Sequence, residues 1–215
     1  MTGTAKTGAL LTSLTGASGA TAGGVYYFSK ETIGNLIKDD VLGEGEDFKE
    51  SWKSQHKKLL DSKESLSTKL AEIKKKYSDN AQTTGHQALA NWCKDTYSQT
   101  YKHAFSSENK SLLEEAKKYC IQPIKDKFTD DKRPSLSGNT DKSTFESNYK
   151  KLKDHNEQKG KLDSRLIALK GSFKEQPTDT EWQAIQSWCS EYFEKPFKGS
   201  NDNTFKLVEI FCKKG

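Results

Sequence analysis

Apolar residues recur along much of this chain at alternating spacings of four and three. Phe48, Trp52, His56, Leu59, Lys63, Leu66, Leu70, Ile73 and Tyr77 form one such stripe, with polar side chains at two of its positions. Residues three and four apart share a helix face, so the stripe predicts one long helix of about thirty residues, roughly 45 Å in length. A second stripe runs from Phe145 through Tyr149, Leu152, Leu162, Leu166 and Leu169 to Phe173. Ser143 and Glu146 have capping-box spacing at its start. A polar break follows each stripe, at residues 78–85 and 174–179, and capping-box spacing returns in Thr84 with Gln87 and in Thr178 with Glu181. A second helix then presents Leu89, Trp92, Cys93, Tyr97 and Tyr101 in one place, and Ile185, Trp188, Cys189, Phe193 and Phe197 in the other. Pro196 ends or bends the latter early. A third, short helix carries Leu112, Leu113, Ala116 and Cys120, and its counterpart carries Phe205, Val208 and Cys212. No alternating strand pattern of useful length is present.

These stripes repeat one another. Leu66, Leu70, Ile73, Tyr77, Leu89, Tyr97 and Tyr101 return 96 residues later as Leu162, Leu166, Leu169, Phe173, Ile185, Phe193 and Phe197. Trp92-Cys93 recurs as Trp188-Cys189, and Tyr119-Cys120 as Phe211-Cys212. Matches at one fixed offset point to a duplication, and a duplication fixes the reading of the fold. The expected architecture is all-α: an N-terminal hydrophobic helix followed by two tandem three-helix-bundle repeats. Residues 1–40 form an anchor or signal segment with a short tether, 44–122 the first repeat, 123–142 a linker rich in Pro, Gly and polar residues, and 143–215 the second repeat.

Four cysteines allow three pairings. A unit copied whole keeps its own bridge, which selects Cys93 with Cys120 and Cys189 with Cys212. Four buried free thiols are the alternative. Disulfides persist outside the reducing cytosol, so this pairing goes with an exported chain.

The N-terminal segment bears on the same question. No charged residue occurs from Thr7 to Ser29, between Lys6 and Lys30. That length suits a membrane-crossing helix. Gly19 and Gly23 have small-xxx-small spacing, and Tyr26, Tyr27 and Phe28 suit a membrane interface. Three readings compete: an uncleaved signal-anchor, which is favoured, a signal peptide cleaved near Ala20-Thr21-Ala22, and a Gly/Thr/Ser-rich tail. The favoured reading makes the protein single-pass, with its C-terminal repeats extracellular.

Composition narrows the functional classes. Of 215 residues, 32% are hydrophobic and 30% charged, and only Arg133 and Arg165 are arginine among 35 basic residues. The net charge of +5 is small beside that content, and acidic residues alternate with lysines through both repeats. That is the pattern of a solvated helical surface and not of a nucleic-acid-binding face. His56, His86, His103 and His155 are scattered, and the first three align with Leu152, Trp182 and Gly199. A cluster of Cys93, His103 and Cys120 has no histidine to complete it in the second repeat, so no metal is expected and the histidines are assigned to the surface or half-buried positions. No cysteine nucleophile with a base shared by both repeats is found, nor a phosphate-cradling loop or hydrolase motif. No catalytic or cofactor-binding residue is assigned, and the chain is expected not to be an enzyme.

The layout of residues 16–28, ending in Tyr-Tyr-Phe, with a Lys/Glu-rich body holding Trp92-Cys93, Tyr119-Cys120, Trp188-Cys189 and Phe211-Cys212, resembles the large paralogous families of uncharacterised surface proteins of haemotropic mycoplasmas. The resemblance implies surface exposure, antigenic variation and contact with host surface or immune components. It supplies no catalytic residue. An intracellular helical module that binds nucleic acid or another acidic partner through its lysines is the alternative.

Overall fold

A computed structural model describes residues 30–78, 84–102 and 107–215. The N-terminal anchor, the Ala20-Thr21-Ala22 site and His103 lie outside the described residues. Among those described, no helix is long and apolar enough to cross a membrane. The protein is predominantly helical. In chain order the elements are β1 (Glu31–Thr32), α1 (Ile33–Ile37), α2 (Glu46–Asp61), α3 (Thr68–Lys76), α4 (Gly85–Tyr97), β2 (Thr100–Lys102), α5 (Lys110–Cys120), α6 (Lys142–Lys150), α7 (Ser164–Gly171), α8 (Asp179–Phe193) and α9 (Asn203–Phe211). Short 3₁₀ turns occupy Ile124–Lys127 and Glu157–Lys159.

Both long helices expected from the stripes are broken, so each half has four helices where three were expected. In the first half, α2 stops at Asp61 and Ser62 turns to extended backbone (φ −64°, ψ 132°). Ser62, Ser65 and Ser67 crowd this stretch, and serine competes for backbone hydrogen bonds; the Ser62 hydroxyl accepts one from the Glu64 N–H at 3.3 Å. In the second half the break runs from α6 to α7, and Gly160 sits within it at φ 122°, which only glycine adopts without strain. The apolar stripe persists across each break because the flanking helices still turn Leu59, Leu70, Tyr149 and Leu166 inward, all fully buried.

Helix starts follow the expected chemistry in one case of three. Thr178 and Glu181 form the reciprocal capping box of α8. Thr84 precedes α4 without a side-chain cap bond. Ser143 lies inside α6, which begins after Asp141; the Asp141 carboxylate instead accepts the Ser135 N–H at 2.6 Å and pairs with Lys214. A two-residue antiparallel pairing of β1 with β2 is a further element the pattern did not show.

The disulfides take the expected pairing. Cys93–Cys120 ties α4 to α5, and Cys189–Cys212 ties α8 to the end of α9. No free cysteine is present among the described residues. Around them the core is one continuous cluster that includes Leu89, Trp92, Ala116 and Tyr119 on one side and Ile185, Trp188, Val208 and Phe211 on the other.

Two segments expected to be connectors are packed. Ile33, Ile37 and Leu42, just after the N-terminal segment, are buried, and the Leu42 N–H donates to the Cys120 carbonyl at 2.9 Å. Between the halves, Gln122, Ile124 and Phe128 are buried. The Phe197 N–H donates to the Gln122 carbonyl at 2.8 Å and the Ile124 N–H to the Lys195 carbonyl at 2.9 Å. Phe48 meets Phe197 edge-on, and Asp47 accepts both the N–H and the hydroxyl of Ser200 at 2.9 and 2.6 Å. Gly199, at φ 105°, makes this approach: a Cβ there would lie 2.6 Å from an Asp47 carboxylate oxygen.

Two outcomes test this account. Replacing Cys93 and Cys120 together by serine is expected to lower stability by about 3 kcal/mol, the chain-entropy value for loops of this size, read as a fall in the urea midpoint. Glu181 titrates abnormally because Lys174 and Thr178 hydrogen-bond it, which brings its carboxyl down to about 2. A lowered carboxyl contributes stability that is full above the unfolded value of about 4.5 and is lost as pH falls toward about 2. Glu181→Gln is therefore expected to destabilise the protein at neutral pH and to flatten the acid limb of the urea midpoint against pH.

Candidate functional site

The two Trp-Cys helices carry similar sequences but different surroundings. In α8 the Trp188 indole N–H donates to the Asp163 carboxylate at 2.7 Å, and the Tyr192 hydroxyl donates to the same oxygen at 2.6 Å. Asp163 is also the N-cap of α7, accepting the Leu166 N–H at 2.9 Å. Tyr192, one turn beyond Trp188, stacks on it with ring centroids 4.2 Å apart and planes 17° apart. Arg165 lies over the outer face of the Tyr192 ring at 5.3 Å and pairs with Glu191 at 2.9 Å. Burial tends to raise the Asp163 carboxyl, but the hydrogen bonds from Leu166, Tyr192 and Trp188 and the Arg165 charge outweigh it, and the group stays below the ordinary aspartate value. Burial and the Asp163 contact raise the Tyr192 phenol. The result is a closed polar–aromatic cap over Trp188, which is 1% exposed.

In the first half the same positions, 96 residues earlier, hold Ser67, Lys69, Asp95 and Thr96 around Trp92. Threonine lacks the ring that covers Trp188, and Ser67, the residue before α3, makes no side-chain cap bond. A cleft of about 370 Å³ opens between α3 and α4, lined by Lys69, Ile73, Tyr77, Trp92 and Asp95 among others. Beside it lies a second cleft of about 270 Å³, lined by Ser67, Lys69, Trp92, Thr96, Gln99 and Leu112 among others. Lys69, Trp92 and Asp95 belong to both.

Several polar atoms here have no partner. The Ser67 hydroxyl oxygen is buried and unpaired. Glu115, on α5, accepts the Ser67 N–H at 2.6 Å through one oxygen, and its other oxygen is buried without a partner. Trp92 makes no hydrogen bond through its indole N–H among the described residues, and Lys69 and Asp95 form no ion pair among them. The contacts that cap Trp188 have no counterpart at Trp92, which is nonetheless buried at 5% exposure, so the two clefts border a covered indole.

No family model, curated protein or solved structure matches this chain.

The site is therefore defined by its own geometry. The four cysteines singled out from the sequence do not line it; they fasten α4 to α5 and α8 to α9 behind the tryptophans. Cys93 and Cys120 are bonded to each other, which removes them as metal ligands or nucleophiles. Among the described residues no group of three His, Cys, Asp or Glu side chains is placed to hold a metal ion. His56, His86 and His155 are buried, not at the surface or half-buried as expected. The His155 ring sits within hydrogen-bond distance of the Gly160 carbonyl, 2.7 Å, and packs against Phe211. Burial, with neighbouring Lys53 and His56, lowers His86. The Trp92 cleft was not read from the sequence, although the signal is there: Ser67 against Asp163 and Thr96 against Tyr192 break an otherwise like-for-like alignment.

The cap and the cleft differ in what a truncation removes. Tyr192→Ala deletes a stacked, hydrogen-bonded ring and is expected to cost about 2 kcal/mol in chemical denaturation. Thr96→Ala at the matching position is expected to cost less than about 1 kcal/mol.

Proposed function

We propose that this protein is a non-enzymatic, membrane-anchored surface protein whose folded body is two tandem copies of one disulfide-closed helical unit. The observation that carries the reading is the placement of one disulfide inside each half, between a Trp-Cys helix and the helix that follows it. Such bonds form and persist in an oxidising compartment, so the body belongs outside the cytosol. The order of helices in the two halves supports copying: α2 to α5 and α6 to α9 each run as first helix, short helix, Trp-Cys helix and closing helix.

Residues 1–29 act as the signal-anchor, and the body begins at once after them, since Ile33 is already buried in the core. The repeats are thus held close to the lipid surface, without a long stalk. Their outer face is a field of lysine–carboxylate pairs, among them Lys49–Glu46, Lys53–Glu50, Lys117–Glu114 and Lys195–Glu191. Exposed pairs of this kind contribute little to stability, so their identities are free to vary while the core is kept. That property suits display, contact with host surface or immune components, and antigenic variation. Carboxylates paired with these lysines favour this reading over nucleic-acid binding.

Protease shaving of intact cells tests the proposal. Digestion of the repeats from outside, with the chain retained in the pellet after an alkaline carbonate wash, is the expected result. Protection until lysis returns the body to the cell interior and sinks the reading.

A further inference from the structure

The second half shows what fits over a tryptophan in this fold: a phenol ring, stacked on the indole, with its hydroxyl on a carboxylate and a cation on its outer face. The first half keeps the indole, with the Asp95 carboxylate and the Lys69 cation beside it along both clefts, and omits the phenol. We propose that the cleft over Trp92 is a binding site for a hydroxylated aromatic ring supplied by another molecule, in the position that Tyr192 fills by itself over Trp188.

Four observations meet at this site. The clefts of about 370 and 270 Å³ share Trp92 as a wall and are each large enough for a single ring. The Ser67 hydroxyl, which lines the second cleft, is buried without a hydrogen-bond partner, a costly arrangement that a ligand O–H relieves. Lys69 and Asp95 flank the opening unpaired among the described residues, whereas Arg165 and Glu191 in the other half are joined across the ring they cover. Finally, Trp92 is held midway along α4 by the adjacent Cys93–Cys120 bond, so this wall of the cleft is fixed and little ordering is needed on binding. The site stands whether or not residues 1–29 are an anchor, because it rests on the two halves' side chains alone.

The shared ligand chemistry is a phenol, present both in small aromatic compounds and in a tyrosine side chain of a partner protein. The test uses the purified, oxidised full-length chain with nitrogen-15-labelled indoles. The chain has four tryptophans, and Trp92→Phe identifies the Trp92 resonance. Titration with p-cresol is expected to move that resonance saturably and to leave Trp188 in place. Cyclohexanol, of similar size but without an aromatic ring, is expected to bind about tenfold more weakly or worse. A response to cyclohexanol equal to that to p-cresol, or no saturable shift at Trp92, overturns the proposal without any variant. The double variant Ser67→Asp/Thr96→Tyr, which equips the first half with the second half's filler, is expected to lose about tenfold or more in p-cresol affinity. Unchanged affinity, with the other indole resonances superimposed on those of the parent chain, also overturns it. A short peptide with a central tyrosine separates the sources: tighter binding than p-cresol assigns the site to a protein partner, and equal or weaker binding assigns it to a free phenol.

Discussion

Two small helical units in a chain that is 32% hydrophobic bury modest cores, and each is closed by a covalent bond between its third and fourth helices. The bond matters more here than in a larger domain because surface falls more slowly than volume as a chain shrinks, leaving less apolar burial to offset chain entropy. It also decides where the tryptophans go. Cys93 and Cys189 follow Trp92 and Trp188 directly, so fixing the sulfur fixes the indole one residue away within the same helix. The short helices α3 and α7 then pack over those indoles, and whatever lies between them is decided by a handful of side chains at their starts.

That local choice is where the two halves part. Asp163 accepts from three donors at once, a backbone N–H, an indole and a phenol, and so caps a helix and closes a surface with a single carboxylate. Ser67 at the equivalent place does neither, and the helix start is instead met by Glu115 reaching across from α5. The exchange leaves buried oxygens without donors in one half and none of those partners missing in the other. Unfilled volume and unpaired acceptors both cost stability, and neither is forced by the fold, since the second half shows the filled alternative.

The helical class, the identities of the buried aromatic positions and the cysteine pairing were legible in the sequence, because each rests on periodicity or on internal repetition. Leu70 and Leu166, Trp92 and Trp188, Phe193 and Phe211 all face inward as their spacing implies. Helix continuity was not legible. A heptad stripe reports which side of the chain is apolar, and a break that preserves that side leaves the stripe intact; the signals against continuity were Gly160 and the serines at 62, 65 and 67. The packed connection was missed for a related reason. Gln122, Ile124 and Phe128 are too few and too irregularly spaced to form a periodic pattern, and their burial depends on Lys195 and Phe197 far along the chain. The buried histidines were missed because a polar residue at a seam position has no periodic signature of its own burial.

The junction makes one body of the two halves, whose buried residues form a single core cluster. Asp47 bonded to Ser200, Phe48 against Phe197, and the 122–128 segment packed beside α8 join the two halves through direct contacts. The surface near Trp188 is closed by its own aromatic and polar contacts, and the surface near Trp92 carries two clefts instead. Ser67 and Thr96 stand where Asp163 and Tyr192 close the other half, so the difference between the two surroundings rests on these few side chains and not on the shared core positions.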